Sequence, residues 1–348
     1  MLTVSPPCQT LAVIGHEDAK RQLEGAYASG RMHHAWLLVG AEGIGKASLA
    51  YLAAQMILSG GESRLDSPAT QHPASRLIAA EAHPDLFVLR CPVDEKTGLV
   101  KDSIPVEDAR KLAPFMGMTA SQGSGRVALI DEAQKLTRNG QNAILKMIEE
   151  PPSGATIFLT ATTVGGLLPT IRSRCRMLPL QPLTDAQLGI VLARMGADLP
   201  TDEEAKARFM VAAAGSASRA VKLLETDAMT LFDELLAILQ AMPMIDLVRV
   251  HKLADQMGKK ADADAFQVVT GLLVDTLRDA VRVAALGRGD ASSLAGGLAA
   301  KLGGRGRLDK ALELWESTAR TFVMAQGAAL DKKLALINAL STVSRMTA

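Results

Sequence analysis

The run Gly40-Ala41-Glu42-Gly43-Ile44-Gly45-Lys46 stands between an apolar stretch of strand character, Ala35–Val39, and a helix-forming stretch, Ala47–Met56. This placement is the tightest constraint in the sequence, because a glycine-rich turn joining a buried strand to a helix reads as a phosphate-cradling P-loop. Glycines let backbone N–H groups close around phosphate oxygens without interference from Cβ. The lysine meets the β/γ charge, and the helix N-terminus faces the anion. One part is missing. The Ser or Thr whose hydroxyl ligates Mg²⁺ after the lysine is Ala47 here, and Ser48 comes one residue late, about 100° further round the helix. The sequence thus predicts binding of ATP or ADP, with Mg²⁺ if ATP is bound, and puts hydrolysis in doubt.

A chain of 348 residues has room for two or three domains, and 48% hydrophobic with 22% charged residues fits a soluble globular protein. The formal charge of +1 supplies no global pull toward nucleic acid, and 3% aromatic residues offer no evident base-stacking platform. Three widely spaced cysteines, Cys8, Cys91 and Cys175, suit a reducing compartment better than a disulfide framework. With no basic-then-apolar leader and no apolar run of about 18 residues, the expectation is a cytoplasmic protein without membrane contact.

Up to about residue 180, short apolar runs at Trp36–Val39, Leu86–Leu89, Val127–Ile130 and Ile157–Leu159 alternate with helical patterns, as in a parallel sheet covered on both faces. Gly60 to Pro84 reads as a long connection. After Pro182 the pattern is helical, with Thr184 as N-cap of a segment through Arg194, Thr201 as N-cap of Asp202–Ala214, and Gly215 before Ser218–Leu224. Longer amphipathic segments follow at Leu231–Leu239, Phe266–Ala285 and Leu308–Met324, the last two separated by the Gly-rich stretch Gly287–Gly306. The expected architecture is an α/β P-loop domain over residues 1–180, a small helical lid over 181–228 and an all-α C-terminal domain over 229–348.

The second chemical element is Val127-Ala128-Leu129-Ile130-Asp131-Glu132, an apolar strand ending in two acids. At a strand tip beside a phosphate site, Asp131 could hold Mg²⁺ through water and Glu132 could polarise an attacking water. A strand end followed by a helix cap and a first-turn acid gives the same string without chemistry.

Three ordered blocks resemble the bacterial clamp-loader branch of the AAA+ ATPases: Asp131-Glu132-Ala133-Gln134-Lys135-Leu136, then Gln141 through Pro152 with its Glu149-Glu150-Pro151-Pro152 ending, then Leu167 through Cys175 with its Ser173-Arg174-Cys175 motif. Ile14-Gly15-His16 and the His34-Ala35 pair match it too, so the resemblance covers roughly residues 11 to 225. Within that branch Ala47 and the chain length resemble delta-prime subunits of DNA polymerase III more than gamma/tau motor subunits, which keep a Thr after the lysine.

The resemblance implies an AAA+ module whose helical C-terminal domain is an oligomerisation collar, in a hetero-oligomer with gamma/tau and delta. Such a complex loads a sliding clamp onto primed DNA during replication, and this chain's part would be mainly structural. It implies that Arg174 is donated in trans to a neighbour's ATP site, a role suited to a permanently charged planar guanidinium. Taken alone, Arg172, Arg174 and Arg176 read as an exposed basic face. Thr162, just past the fourth strand, matches a polar sensor near the γ-phosphate, and Arg219 at the start of a lid helix matches the second-sensor arginine. Each also reads as an ordinary turn hydroxyl or helix charge. Lys135 and Arg138 could meet a DNA backbone, and ordinary surface charge reads the same. Many members carry a four-cysteine zinc module where this chain has Gly60–Pro84, and His72 and His83 alone cannot close a tetrahedral site, so no zinc is expected. Two other classes stay open: an autonomous AAA+ ATPase, whether gamma/tau-like or a remodelling enzyme, and a P-loop nucleotide sensor.

Overall fold

The computed structural model describes residues 5–94, 98, 100–121, 125–226, 228–257, 263–287, 294–302, 307–326 and 330–347. These residues form two compact units, one of Leu2–Asp198 with Ala214–Ser218, the other of Leu199–Ala213 with Arg219–Ala348.

In the first unit the elements run α1 (Glu17–Ala28), β1 (Ala35–Val39), α2 (Lys46–Leu58), α3 (Pro73–Ala79), β2 (Leu86–Leu89), α4 (Val106–Arg110), α5 (Leu112–Gly117), β3 (Arg126–Ile130), α6 (Arg138–Glu149), β4 (Ala155–Ala161), α7 (Pro169–Arg174), β5 (Arg176–Pro179) and α8 (Asp185–Arg194). The strands make one parallel sheet in the order β2-β3-β4-β1-β5. Parallel strands need crossovers, and helices on both faces supply them. Alternation along each strand divides the core in two. Trp36, Leu38, Val127, Leu129, Phe158 and Leu178 face the side that buries Leu23 of α1, Leu49 and Leu52 of α2 and Ile78 of α3. Leu37, Ala128, Ile130, Ile157 and Leu159 face the side that buries Leu112 and Met116 of α5, Ile144 and Ile148 of α6 and Ile171 of α7.

The fifth strand is absent from the sequence reading. Its four residues, Arg-Met-Leu-Pro, bury only Leu178, so no apolar run announces it, and pairing with β1 from Trp36↔Arg176 to Val39↔Pro179 creates it. The connection 60–84 is not featureless, since it holds α3. Pro73 opens that helix, and the His72 side chain accepts the Ala74 N–H at 3.1 Å as its cap. Leu65, inside the same connection, is fully buried, and Lys20 pairs with its Asp66 at 2.7 Å. Thr184 caps α8 with a complete capping box to Gln187.

The second unit contains α9 (Glu203–Ala213), most of α10 (Ala217–Glu225), α11 (Ala228–Gln240), α12 (Leu247–Met257), α13 (Ala263–Leu286), α14 (Leu294–Leu302), α15 (Leu308–Gln326) and α16 (Lys332–Thr347). The cap of α9 is Asp202 rather than Thr201: its Oδ2 accepts the Ala205 N–H at 2.8 Å and its carbonyl the Lys206 N–H. Asp is as good an N-cap as Thr and adds a charge that suits the helix dipole. Buried Phe266, Leu273 and Leu277 make α13 the axis on which α14 and α15 pack, with Phe266 meeting Phe322 edge-on at 6.1 Å. The Gly-rich stretch read as a separator lies partly outside the described residues, and α14 forms within it. Among the described residues no helix is long and apolar enough to cross a membrane.

Candidate functional site

The C-terminal tips of β1, β3 and β4 lie side by side, so the three loops that leave them converge. Gly40 anchors the first loop by donating its N–H to the Ala161 carbonyl at the tip of β4, 3.1 Å away. Gly43 and Gly45 then take φ of +73° and +99°, a region that costs an L-residue energy. At Gly43 space as well as conformation demands glycine. Its carbonyl accepts the Ala217 N–H at 2.9 Å, and a Cβ there would collide with the Ser216 and Ser218 hydroxyls.

Lys46 opens α2 and is 7% exposed, its Nζ donating to the Ala41 carbonyl at 2.6 Å. Burial pushes its pKa down, and Asp131, Glu42 and Glu132 pull it partly back. An ammonium so desolvated and only partly compensated favours an added anion. Ala47 brings no donor. The Ser48 hydroxyl is turned to the N-terminal segment, accepting from Thr10 Oγ1 at 3.0 Å. His16 braces the loop from α1, its Nε2 lying 2.7 Å from the Ile44 carbonyl, and burial lowers its pKa so that the ring is neutral near pH 7.

Asp131 follows β3, and its N–H is bonded to Leu89 of β2 at 2.8 Å. Burial raises its carboxyl above the ordinary carboxylate range, against the opposing hydrogen bond from Thr160 and the Lys46 charge. Thr160 organises the pair of acids. Its hydroxyl donates to Asp131 Oδ1 at 2.6 Å and accepts the Glu132 N–H at 2.9 Å, while Glu132 turns left-handed at φ 54° and its carboxylate pairs with Lys135 at 2.8 Å. Sequence reasoning passed over Thr160. The available signal was a hydroxyl in the apolar run Ile157-Phe158-Leu159-Thr160-Ala161, one step from the acidic tip on the neighbouring strand. Thr162 lies just past β4, half-buried, beyond the Ala161 carbonyl that Gly40 uses.

The basic cluster falls on one edge of the same unit. Arg174 ends α7 and is 41% exposed, with Nη2 3.1 Å from Glu149 Oε1 and Nη1 3.2 Å from the Thr170 carbonyl. Arg176 lies on β5 with its guanidinium 4.9 Å above the Trp36 ring. Between them, burial pushes the Cys175 thiol up to about 12, which leaves it protonated and chemically quiet at neutral pH. Arg219 belongs to the helical unit, where its Nη2 donates to Asp275 of α13 at 2.6 Å and Arg278 holds the same carboxylate at 2.8 Å. His72 caps α3, and buried His83 accepts the Asp85 N–H at Nδ1, 3.1 Å away. Among the described residues no three His, Cys, Asp or Glu side chains converge as metal ligands.

Comparison with known proteins places this geometry in a lineage. The sequence model of a family described as "DNA polymerase III, delta subunit" matches residues 15–184. A DNA polymerase III subunit delta' from Pseudomonas aeruginosa is 38% identical over 143 residues, 41% of each chain. A DNA polymerase III subunit gamma from Buchnera aphidicola subsp. Schizaphis graminum is 30% identical over 218 residues, 61% of this chain and 56% of that one. The chain thus spans only about half the length of these two relatives. A DNA polymerase III subunit delta' from Yersinia pestis is 31% identical over 261 residues, 74% of both chains. That last alignment runs well past the P-loop sheet into the helical region, and on this footing the chain belongs to the delta-prime family of DNA polymerase III clamp-loader subunits.

Proposed function

We propose that this chain is the delta-prime subunit of a clamp loader, acting in the cytoplasm with gamma/tau and delta to place a sliding clamp on primed DNA. Its role is mainly structural, with Arg174 donated to a neighbour's ATP site. The observation that carries this reading is a contrast within one sheet. The inward site lacks the Mg²⁺-ligating hydroxyl at Ala47 while Ser48 is engaged by Thr10, whereas Arg174 stands half-exposed at the edge where another subunit can use it.

The residues present suit a nucleotide's phosphates better than they suit its metal. Gly40, Gly43, Gly45 and the desolvated Lys46 would cradle the phosphates, with Ala47 and Ser48 at the opening of α2. Asp131, with Glu132 beside it, is the acid left to meet a cation. A bound nucleotide would supply negative charge that Lys46 lacks, and Mg²⁺ would supply Lewis acidity at the γ-phosphate. Thr162 would orient water at the strand tip. Arg219, which pairs with Asp275 inside the helical unit, would be the second sensor. Residues 1–180, 181–228 and 229–348 act as nucleotide-binding module, lid and collar.

An autonomous ATPase draws support from the retained Lys46, Asp131 and Glu132 and from the gamma-type relative. Turnover separates the two. The purified chain alone should hydrolyse ATP negligibly, and a complex captured from native cytoplasm should contain gamma/tau and delta. Robust Mg²⁺-dependent turnover by the isolated chain would transfer the assignment to the motor class.

A further inference from the structure

We propose that Glu149 is the positioning residue of Arg174, holding its guanidinium in the pose from which it meets a neighbouring phosphate. The inference rests on the role of Arg174 given above. Helix α6 packs on α7 and holds the loop before it. Near its start, the buried Gln141 side chain bridges to the loop before α7, its Oε1 accepting the Leu168 N–H at 2.7 Å and its Nε2 donating to the Gly166 carbonyl at 2.9 Å. Those bonds fix where α7 begins. At its end, Glu149 is the last helical residue, because Glu150 leaves helical geometry at φ −126° and Pro151-Pro152 cannot continue it.

Glu149 therefore stands at the negative end of the α6 dipole, where a cation is favoured, and Arg174 brings one to 3.1 Å. With the Thr170 carbonyl at 3.2 Å and Ser173 Oγ at 3.4 Å on Nη1, the guanidinium is held from two sides by its own subunit. Nε and the second hydrogen of Nη2 remain for an outside anion. Both partners are 41% exposed, so the pair adds little to stability; its value is orientation of a long side chain that would otherwise sample many rotamers. A guanidinium oriented before the neighbour docks loses less entropy on meeting the phosphate.

The test uses the complex assembled with its natural partner subunits, together with the free full-length chain. Glu149→Gln should lower the ATPase kcat of the complex about tenfold, the low end of what loss of an orienting partner costs, with KM and assembly unchanged. Glu150→Gln is the matched control and should leave kcat alone. In the free chain, ¹⁵N-detected rotation of the Arg174 guanidinium about Cζ–Nε should quicken in Glu149→Gln and not in Glu150→Gln. If rotation quickens but kcat holds, while Arg174→Ala lowers kcat, the finger stands and the positioning role is overturned. If Arg174→Ala also leaves kcat unchanged, the finger reading falls and the pair is only a surface bridge. If Glu149→Gln changes neither readout, the pair positions nothing.

Discussion

Lys46 and Arg174 are two cations of one α/β unit, and the protein treats them in opposite ways. Lys46 is buried at the opening of α2, beyond the C-terminal tip of β1, with its pKa pushed down and its Nζ satisfied by a carbonyl of its own loop. Arg174 is half-exposed at the end of α7, paired with Glu149 and bonded to the Thr170 carbonyl of its own helix. Burial strengthens electrostatics within the site and makes it depend on every missing partner, so the loss of one hydroxyl at Ala47 weighs heavily there. An exposed arginine depends on nothing in its own site except orientation. On the proposed reading, such a chain gives up its own hydrolysis and keeps the group that serves a neighbour's.

The largest expected effect tests the outward half of that contrast. Arg174→Ala should lower hydrolysis at the neighbouring ATP site by on the order of 10³, the low end for an arginine supplied in trans. The isolated variant should melt close to wild type, since the Glu149 ion pair it loses is half-exposed. Single-turnover hydrolysis in the preassembled complex separates loss of chemistry from loss of assembly. A variant that fails to assemble would make Arg174 an interface strut instead.

Next in size is the frame behind the arginine. Gln141→Leu takes the buried amide partner from the Leu168 N–H and the Gly166 carbonyl of a part-buried loop, and each group left unpaired costs about 1 kcal/mol, the low end for such groups. A destabilisation of about 2 kcal/mol is expected in urea unfolding of the α/β unit, followed through Trp36 in a Trp315→Phe background. A loss below a few tenths would mean that water or the loop backbone replaces the amide.

The inward half predicts the opposite sign. Asp131 has a folded pKa above its unfolded value, so the native state binds the extra proton and stability falls as pH rises from the ordinary carboxylate range, about 3.9, through the raised value. Asp131→Asn removes that penalty while its amide oxygen can still accept from Thr160. It should stabilise the protein near pH 7 by about 1 kcal/mol, the usual gain when a functional site is relieved, and the gain should fade as pH drops toward 4. Thermal melts across that range decide it. A variant less stable at pH 7 would show that the Lys46 attraction outweighs desolvation.

The sequence disclosed whatever is written locally. The P-loop between β1 and α2, the apolar runs of β1 to β4 and the Thr184 capping box all depend on residues within one or two turns of each other. It withheld what depends on partners distant in the chain. β5 is a strand because Trp36 to Val39 offers it an edge, 140 residues earlier in the chain. Thr160 is an organiser because strand register sets it next to Asp131 and Glu132. Arg219 finds Asp275 56 residues on, a pairing no local pattern shows. The candidate site's parts were legible, and their couplings were not.

The smallest effect is the sharpest control. In the sequence Arg176 is one more charge two residues past Arg174, and removing it should look like trimming a basic surface. In the structure it covers Trp36, which is fully buried beneath the β5 edge, with its guanidinium 4.9 Å from the ring centroid. A cation over an indole at a partly exposed site contributes about 0.5–1 kcal/mol. Arg176→Ala should therefore lower stability by that amount and leave single-turnover hydrolysis in the complex unchanged, the mirror image of Arg174→Ala. Arg176→Lys should recover part of the loss, since an ammonium keeps the attraction but not the planar stacking. If Arg176→Ala instead slows the complex as Arg174→Ala does, the basic edge acts as a diffuse charge, and the contrast between one buried lysine and one presented arginine no longer describes the molecule.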